Sequence, residues 1–284
     1  MKLSKIFALL LALCLISSAA CAATFTDAHG NVIELDDSLE AYAAVTLVGA
    51  DNAARQGETN LGDLWTDALR WFAVSGEINA AFDEDDVKAG NDRIAVDADH
   101  VVALWNGGNL RADIAEGTFG AEALAEVLPF PNKVAVVYMT GAQLLETLEA
   151  ASQGLPYTAE TADACASLMQ VSGLTYAVDT TKAYDALEAY GDHWFTAGSV
   201  SRVRIDDVNG QPFDAEATYA VVTSNANFNG MDSSYVLKAA AEANEQSAVT
   251  TAVVRDVVFR FIAAELNHQV GEAYAAPQGR LTIL

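Results

Sequence analysis

The pattern of apolar and polar positions predicts helices and strands that follow one another without strict alternation. Residues 61–72 place apolar side chains on one face at helical spacing, so we expect a helix there with Asn60 as its cap. A second helix is expected behind Thr140 and Gln143, which have the spacing of a capping box. A third is expected over about 248–268. Strands are predicted at 101–105, 133–139, 171–178, 200–208, 218–223 and 279–284. The mixture predicts an α/β fold of the α+β type, with a mixed β-sheet flanked by helices.

Turn signals divide the chain further. Alternation on both sides of Gly30-Asn31 predicts a hairpin over 24–37, and Asn209-Gly210 is typical of a tight turn between two strands. The acid-rich residues 83–99 are interpreted as a loop. Neither a repeat nor a low-complexity linker interrupts residues 55–284. We therefore expect one domain over 55–284, preceded by a hairpin and linker over 24–54.

The first residues have the layout of a secretory signal. Lys2 and Lys5 precede an apolar run over 7–16, which is followed by small residues and is too short to span a bilayer. We expect a signal over 1–22 and an extracytoplasmic protein, which is secreted, periplasmic or attached to the cell surface. Two endings remain open. Cleavage after Ala22 or Ala23 satisfies the small-residue rule, whereas Cys21 resembles the lipidation site of bacterial lipoproteins and would supply a lipid anchor.

Charge and cysteine content narrow the class of partner. The formal net charge is −24, and a chain this acidic repels phosphate backbones and anionic lipid surfaces. Nucleic acid is therefore not expected as a partner, and contact with a membrane is expected only through the lipid anchor. Cys165 is the one cysteine beyond the signal, so no disulfide framework is expected.

Four motifs occur in an order that resembles a known family. They are Glu-Thr-Asn-Leu-Gly-Asp-Leu-Trp-Thr-Asp-Ala at 58–68, Asn-Gly-Gly-Asn-Leu-Arg-Ala-Asp-Ile at 106–114, Val-Leu-Pro-Phe-Pro-Asn at 127–132 with Thr-Gly-Ala-Gln-Leu at 140–144, and Tyr-Ala-Val-Val-Thr at 219–223 with Asn225 and Gly-Met-Asp at 230–232. Gly-Arg-Leu at 279–281 closes the series. The combination is similar to the C-terminal, substrate-binding domain of the 5'-nucleotidases.

That resemblance implies a nucleoside or nucleotide-like small molecule as ligand. In the family an aromatic pair holds the base, a carboxylate holds the ribose and arginine meets the phosphate. Carried over by motif position, Asn106 would contact the base edge, Phe130 would be one stacking ring, Asp232 would hold the ribose and Arg111 the phosphate. Gly108 would let the backbone approach the ligand closely. Stacking of a base on an aromatic ring contributes about 1–3 kcal/mol.

The chain departs from the family pattern in three places. Ala226 stands where the second ring is expected, and Phe228 is the nearest substitute. Gly57 stands where an arginine is expected, with Arg55 nearby. The family's Gly-Gly-Asp-Gly loop is Gly-Met-Asp-Ser at 230–233.

The resemblance does not extend to the family's metal-bearing half. Family members hydrolyse a phosphate ester on two metal ions in an N-terminal metallophosphoesterase domain, which needs several His, Asp and Asn ligands. The chain has four histidines, scattered at 29, 100, 193 and 268. We expect no catalytic residue, metal site or cofactor in this chain, and divalent metals only if a separate metallophosphoesterase chain is its partner.

Three functions stay open at this point. The chain is a non-catalytic binding protein for a nucleoside or nucleotide, the binding half of a nucleotide hydrolase whose metal-bearing half is a separate chain, or a cell-surface interaction module whose pocket is lost.

Overall fold

A computed structural model of the protein describes residues 23–26, 32–35, 40–82, 94 and 96–284. The expected signal over 1–22, including Cys21, and most of the expected loop over 83–99 lie outside the described residues. Among the helices that the structure describes, none is long and apolar enough to cross a membrane. These helices are α1 (Ala53–Gln56), α2 (Asn60–Val74), α3 (Ala121–Val127), α4 (Gly141–Ala151), α5 (Asn225–Phe228), α6 (Tyr235–Ala243) and α7 (Val254–Glu265).

The strands form several sheets of different size. In chain order they are β1 (Ala23–Thr26), β2 (Val32–Leu35), β3 (Glu40–Ala43), β4 (Val101–Asn106), β5 (Gly117–Gly120), β6 (Lys133–Thr140), β7 (Met169–Ser172), β8 (Leu174–Val178), β9 (Ala186–Ala189), β10 (Phe195–Ala197), β11 (Val203–Val208), β12 (Gln211–Pro212), β13 (Thr218–Ser224), β14 (Ala248–Val253), β15 (Gln269–Val270) and β16 (Leu281–Ile283).

A five-stranded sheet in the order β14-β6-β13-β4-β7 forms the centre of the fold. β13 and β4 are parallel, whereas β6 is antiparallel to β13 and β7 is antiparallel to β4. Helices cover the sheet, so the predicted mixed sheet flanked by helices is confirmed. A four-stranded sheet, β12-β11-β8-β16, and a three-stranded sheet, β15-β3-β5, complete the larger sheets of the described residues.

Both faces of the central sheet are buried, each in its own apolar core. Successive strand residues point to opposite faces, so Val101, Ala103 and Trp105 enter one core while Val102 and Leu104 enter the other. The first core lies under α2 and α7. The second lies under α4, α6 and the four-stranded sheet. A sheet buried on both faces explains why its strands are continuous apolar runs rather than alternating ones.

Local signals predicted several elements correctly. Thr140 accepts a hydrogen bond from the Gln143 backbone while the Gln143 side chain accepts one from the Thr140 backbone, which is the predicted capping box at the start of α4. Val208 pairs with Gln211 across the predicted Asn209-Gly210 turn, where both residues have positive φ. β1 also pairs antiparallel with β2, as the predicted hairpin requires, although residues 27–31 between them lie outside the described residues.

Other predicted elements were wrong in detail. The expected helix over 248–268 begins at Val254, because residues 248–253 pair with β6 as strand β14. The expected strand over 171–178 is two strands, since Gly173 with φ 81° separates β7 from β8. The helix at 60–74 is capped by Thr59, whose side chain accepts from the Gly62 backbone, and not by Asn60.

The expected linker over 24–54 is partly inside the domain. β3 pairs with β5 and β15, and Ala41, Ala43 and Leu47 are fully buried in the first core. The expected boundary at residue 55 is therefore too late, because the folded unit already includes residue 40.

Candidate ligand-binding site

Three segments that meet at one edge of the central sheet form part of the wall of a cavity of about 510 Å³. The parallel strands β4 and β13 both end at this edge, and the antiparallel strand β6 begins there. Segments 106–111, 130–132 and 226–232 are thereby brought together, which is the place where ligands bind in many sheets of this kind. The cavity is lined by Arg55, Gly108, Asn109, Arg111, Phe130, Asn132, Asp163, Ala166, His193, Trp194, Ala226, Met231 and Asp232.

A hydrogen-bonded chain of polar side chains forms the floor beside this cavity. Asn106, which is buried, donates from Nδ2 to Asp232 Oδ2 at 2.5 Å, and Asn109 Nδ2 donates to Asn106 Oδ1 at 2.9 Å. Asp232 has φ 54°, a left-handed conformation that Asp and Asn tolerate better than most residues. The network fixes the Asp232 carboxylate at the end of β4, although 126 residues separate it from Asn106.

The protonation of Asp232 is set by burial and by two nearby guanidinium groups. Burial raises the pKa of this carboxyl above its ordinary value, while Arg55, the Asn106 amide and Arg111 act in the opposite direction. Loss of either arginine would therefore raise the pKa further.

Arg111 and Phe130 form a stacked pair on the cavity wall. The Arg111 Cζ atom lies 4.7 Å from the centre of the Phe130 ring, and Arg111 Nε donates to Gly108 O at 3.2 Å. Phe130 is 40% exposed. Its ring therefore keeps open surface on which a second planar group can stack.

Gly108 lines the cavity, but the space beside its α-carbon is filled by other residues of the protein and is not available to a ligand. A β-carbon built on Gly108 would lie 2.7 Å from the Ala166 Cβ atom, and one on Gly107 would lie 2.0 Å from Ala54 O. Both glycines are needed for close packing of segment 107–109 against α1 and the 164–167 turn.

Arg55 brings a second guanidinium into the cavity. It comes from α1, where Nη1 donates to Ala162 O at 2.9 Å and lies 3.7 Å from Asp163 Oδ1. Asp163 is largely exposed and also lies 4.0 Å from His193 Nε2. An anion entering the cavity would compete with Asp163 for Arg55.

Sequence reasoning missed several of the lining residues, among them Asp163, His193 and Trp194. They come from segments outside the four motifs, and the contacts that bring them here are long-range. Trp194 Nε1 donates to Ala164 O at 3.2 Å, so the indole is held at the cavity wall. The available signal was a pair of aromatic residues, Trp194 and Phe195, in a polar stretch with no obvious core role.

A comparison with known protein families covers the residues that line this cavity. The family model described as "5'-nucleotidase, C-terminal domain" matches residues 40–239, which is more than half of the chain. The chain belongs to this family.

Individual relatives agree with the 5'-nucleotidase assignment. The chain is 27% identical over 188 residues to the trifunctional nucleotide phosphoesterase protein YfkN of Bacillus subtilis (strain 168), covering 65% of this chain and 10% of the relative. Its fold is similar to that of the 5'-nucleotidase precursor from Thermus thermophilus, with 29% identity, a TM-score of 0.62 and coverage of 86% of this chain and 39% of that one. The NAD nucleotidase of Haemophilus influenzae has a similar fold at 17% identity, with a TM-score of 0.54 and coverage of 86% and 38%.

The chain thus spans about two fifths of the matched structures and a tenth of the curated relative. Within the part that matches, the structure brings together some of the residues that the family resemblance predicts. Arg111, Phe130 and Asp232 line one cavity with Gly108, and Asn106 contacts Asp232 from below.

The two substitutes suggested by the sequence have different outcomes in the structure. Arg55 lines the cavity, whereas Gly57 does not. Phe228 is half-buried and packs against the second core, so it does not line the cavity, and Ala226 does. Phe228 therefore does not supply the second aromatic ring that was expected in the cavity.

Two further observations concern chemistry away from this cavity. A groove of about 580 Å³ runs between α3 and α7, but it contains none of the predicted site residues, and its Arg260 is paired with Glu77. Within the described ranges, no group of three or more His, Cys, Asp or Glu side chains is arranged to hold a metal ion.

Proposed function

We propose that the cavity binds a nucleoside or a nucleotide and that this chain is a substrate-binding domain without catalysis of its own. The proposal rests on one observation: Arg111, Phe130 and Asp232 line the same cavity, although more than 100 residues separate Arg111 from Asp232 in the sequence. Relatives whose names describe nucleotidases and nucleotide phosphoesterases support the same ligand class.

The residue types suit the three parts of such a ligand. The exposed surface of Phe130 offers a stacking platform for a base, which needs no particular hydrogen-bond code. The Asp232 carboxylate can accept hydrogen bonds from two neighbouring ribose hydroxyls. Arg55 and Arg111 can each donate two parallel hydrogen bonds to phosphate oxygens.

We also propose that the protein works outside the cytoplasm, either free or held by a lipid on Cys21. The support is the sequence of residues 1–22 alone: two lysines, an apolar run and small residues.

Thermal unfolding with and without ligand tests the binding proposal. Adenosine and AMP at millimolar concentration should raise the Tm of the protein by several degrees, since a ligand that binds only the folded state stabilises it. The Phe130→Ala and Arg111→Ala variants should lose most of that shift, and Arg111→Ala should lose more of it for AMP than for adenosine.

Two matched variants keep this experiment specific. Phe195→Ala removes a ring of similar exposure outside the cavity, and Arg204→Ala removes an exposed arginine paired with Asp206. Both should keep the full ligand-induced shift. A protein whose Tm responds to no nucleoside or nucleotide would instead fit an interaction module that kept the fold and lost the pocket.

A second role uses the same cavity. The chain covers only 39% of the Thermus 5'-nucleotidase structure. In this role the chain is the binding half of a nucleotide hydrolase, and a metallophosphoesterase domain on another chain would hold the divalent metals. In both roles the cavity binds the nucleotide, and in neither does this chain supply the metal ligands.

A further inference from the structure

We propose that Trp194 supplies the second aromatic surface of the cavity and contacts the base of a bound nucleoside or nucleotide. The inference rests on the proposed function, and it assigns the ring-contact role to a residue from the β9–β10 hairpin in place of Ala226 or Phe228. Trp194 lines the cavity together with Phe130 and Ala226. A small side chain at Ala226 leaves room at the wall where a larger residue would stand.

The indole ring is fixed by its polar end. Trp194 Nε1 donates to Ala164 O at 3.2 Å, and the neighbouring His193 ring packs edge-on at 5.8 Å between centres. A tryptophan tied by its N–H and only half-buried keeps apolar ring surface for a ligand. An indole whose only task was to fill a core would be covered, as Trp65 and Trp105 are.

The hairpin that carries Trp194 is anchored near its turn. Tyr190 N donates to Trp194 O at 2.7 Å and closes the turn. The Tyr190 hydroxyl donates to Gly230 O at 2.9 Å, which joins the turn directly to the loop that carries Asp232. The Tyr190 ring also packs against Tyr235 of α6 at 5.6 Å.

The base of the hairpin is tied to the domain as well. Phe195 N donates to Gln153 Oε1 at 2.8 Å, and Ala197 N donates to the Tyr235 hydroxyl at 2.9 Å. These bonds hold β10 against the end of α4 and the start of α6. Trp194 is therefore positioned before a ligand arrives, and its ordering adds little to the cost of binding.

The chemistry of the lining suits a flat ring system that also carries polar groups. Two aromatic rings, Phe130 and Trp194, offer apolar faces, while Arg55, Arg111 and Asp232 offer charges around them. A purine nucleoside or nucleotide has this combination of a planar base, hydroxyls and phosphate. We therefore expect purines to bind more tightly than pyrimidines, because their larger ring system covers more aromatic surface.

Isothermal titration calorimetry with AMP and adenosine, with tryptophan fluorescence recorded in parallel, tests the role of Trp194 in the full-length protein. Trp194→Ala should weaken AMP binding about tenfold or more, as expected for loss of one stacked ring. Phe195→Ala, on the next residue of the same hairpin, should leave the affinity unchanged. Trp194→Phe should retain affinity within about threefold and lose the ligand-induced change in tryptophan fluorescence, since it keeps a ring but removes the reporter.

The outcomes separate this inference from the binding proposal. If Phe130→Ala loses AMP binding while Trp194→Ala binds AMP as tightly as the unchanged protein, the role of Trp194 is overturned and the binding proposal is not. The same conclusion would follow if Trp194→Phe kept the full fluorescence change. Absence of binding by the unchanged protein would overturn the proposed function, and this inference with it. If Trp194→Ala fails to fold, the Trp194→Phe titration still shows whether Trp194 contacts the ligand.

Discussion

At the scale of single residues, a buried cluster of acids shows how the fold depends on protonation. Asp63 is 1% exposed, and Glu58 and Asp67 lie beside it with Arg280 as the cation. Arg280 pairs most closely with Asp67, at 2.8 Å, and lies 3.7 Å from Asp63. One guanidinium thus serves several carboxyl groups, so one of the acids is expected to keep its proton at neutral pH.

Asp63 is the acid that keeps it. Burial, together with the nearby Glu58, raises the pKa of Asp63 from 3.8 to about 8, although Arg280 lowers it. A proton on Asp63 can also be donated to Glu58, whose Oε1 atom has no hydrogen-bond partner in the described part of the chain. Glu58 Oε2 accepts from Leu281 N, so the shared proton helps to hold the last strand against α2.

The raised pKa predicts a decline in stability with rising pH. The proton on Asp63 is bound in the folded state and lost from the unfolded chain above about pH 4, so its contribution is complete below that pH. The contribution falls as pH rises to about 8, where the folded state also ionises. Urea unfolding of the protein should show this fall in the free energy of unfolding between pH 4 and 8. Asp63→Asn should remove most of it.

An exposed acid provides the control for that measurement. Asp206→Asn, at an exposed pair with Arg204, should leave the pH dependence as it is. Parallel pH profiles for the unchanged protein and Asp63→Asn would contradict the assignment of the proton to Asp63.

At the residue scale, sequence order predicted part of the lining of the candidate site. Arg111, Phe130 and Asp232 could be proposed because each lies in a motif whose neighbours identify it. Trp194 could not, because its place in the cavity depends on the bonds from Tyr190 to Gly230 and from Phe195 to Gln153. Phe228 failed as a substitute ring because the short helix α5 turns it toward the second core.

At the scale of elements, Asn60 joins the start of α2 to two other parts of the chain. Its Oδ1 atom accepts from Val48 N at 2.8 Å, and its Nδ2 group donates to Thr46 O and Tyr274 O at 3.0 and 2.8 Å. The side chain is buried, and the bond to Tyr274 O spans 214 residues. Asn60 therefore fixes where the helix begins relative to the segment after β3 and to the C-terminal segment.

Removal of this side chain should destabilise the fold strongly. Asn60→Ala leaves buried backbone groups unpaired, at a cost of about 1–3 kcal/mol each, so the free energy of unfolding should fall by about 3 kcal/mol or more. Asn244→Ala removes a local bond to the Gln246 backbone and should cost about 1 kcal/mol or less. Denaturant unfolding measures the free energy of unfolding of both variants. Equal losses in Asn60→Ala and Asn244→Ala would show that Asn60 does not hold these distant segments together.

Element prediction succeeded where the signal was local and failed where pairing decided the structure. The capping box at Thr140 and Gln143 depends only on neighbouring residues, and it was predicted from sequence. Residues 248–253 carry a similar apolar pattern to the helix that follows them, yet pairing with β6 makes them a strand. Asn60 looked like a cap, but its hydrogen bonds go to distant segments while Thr59 caps the helix.

At the scale of the whole molecule, the topology of the central sheet creates the site. β4 and β13 are neighbours and parallel, so Asn106 and the segment after Ser224 emerge at the same edge, where β6 begins after Phe130. The sequence predicted a mixed sheet flanked by helices, because strand and helix patterns are mixed along the chain. It could not predict the order β14-β6-β13-β4-β7, since strand order depends on contacts between distant segments.

A crystal structure of the protein with AMP would show whether this cavity holds a nucleoside or nucleotide. We expect the base to lie against Phe130, the ribose hydroxyls to donate to Asp232, and Arg55 or Arg111 to contact the phosphate. No bound AMP at a saturating concentration, or AMP bound only outside this cavity, would contradict the proposed function.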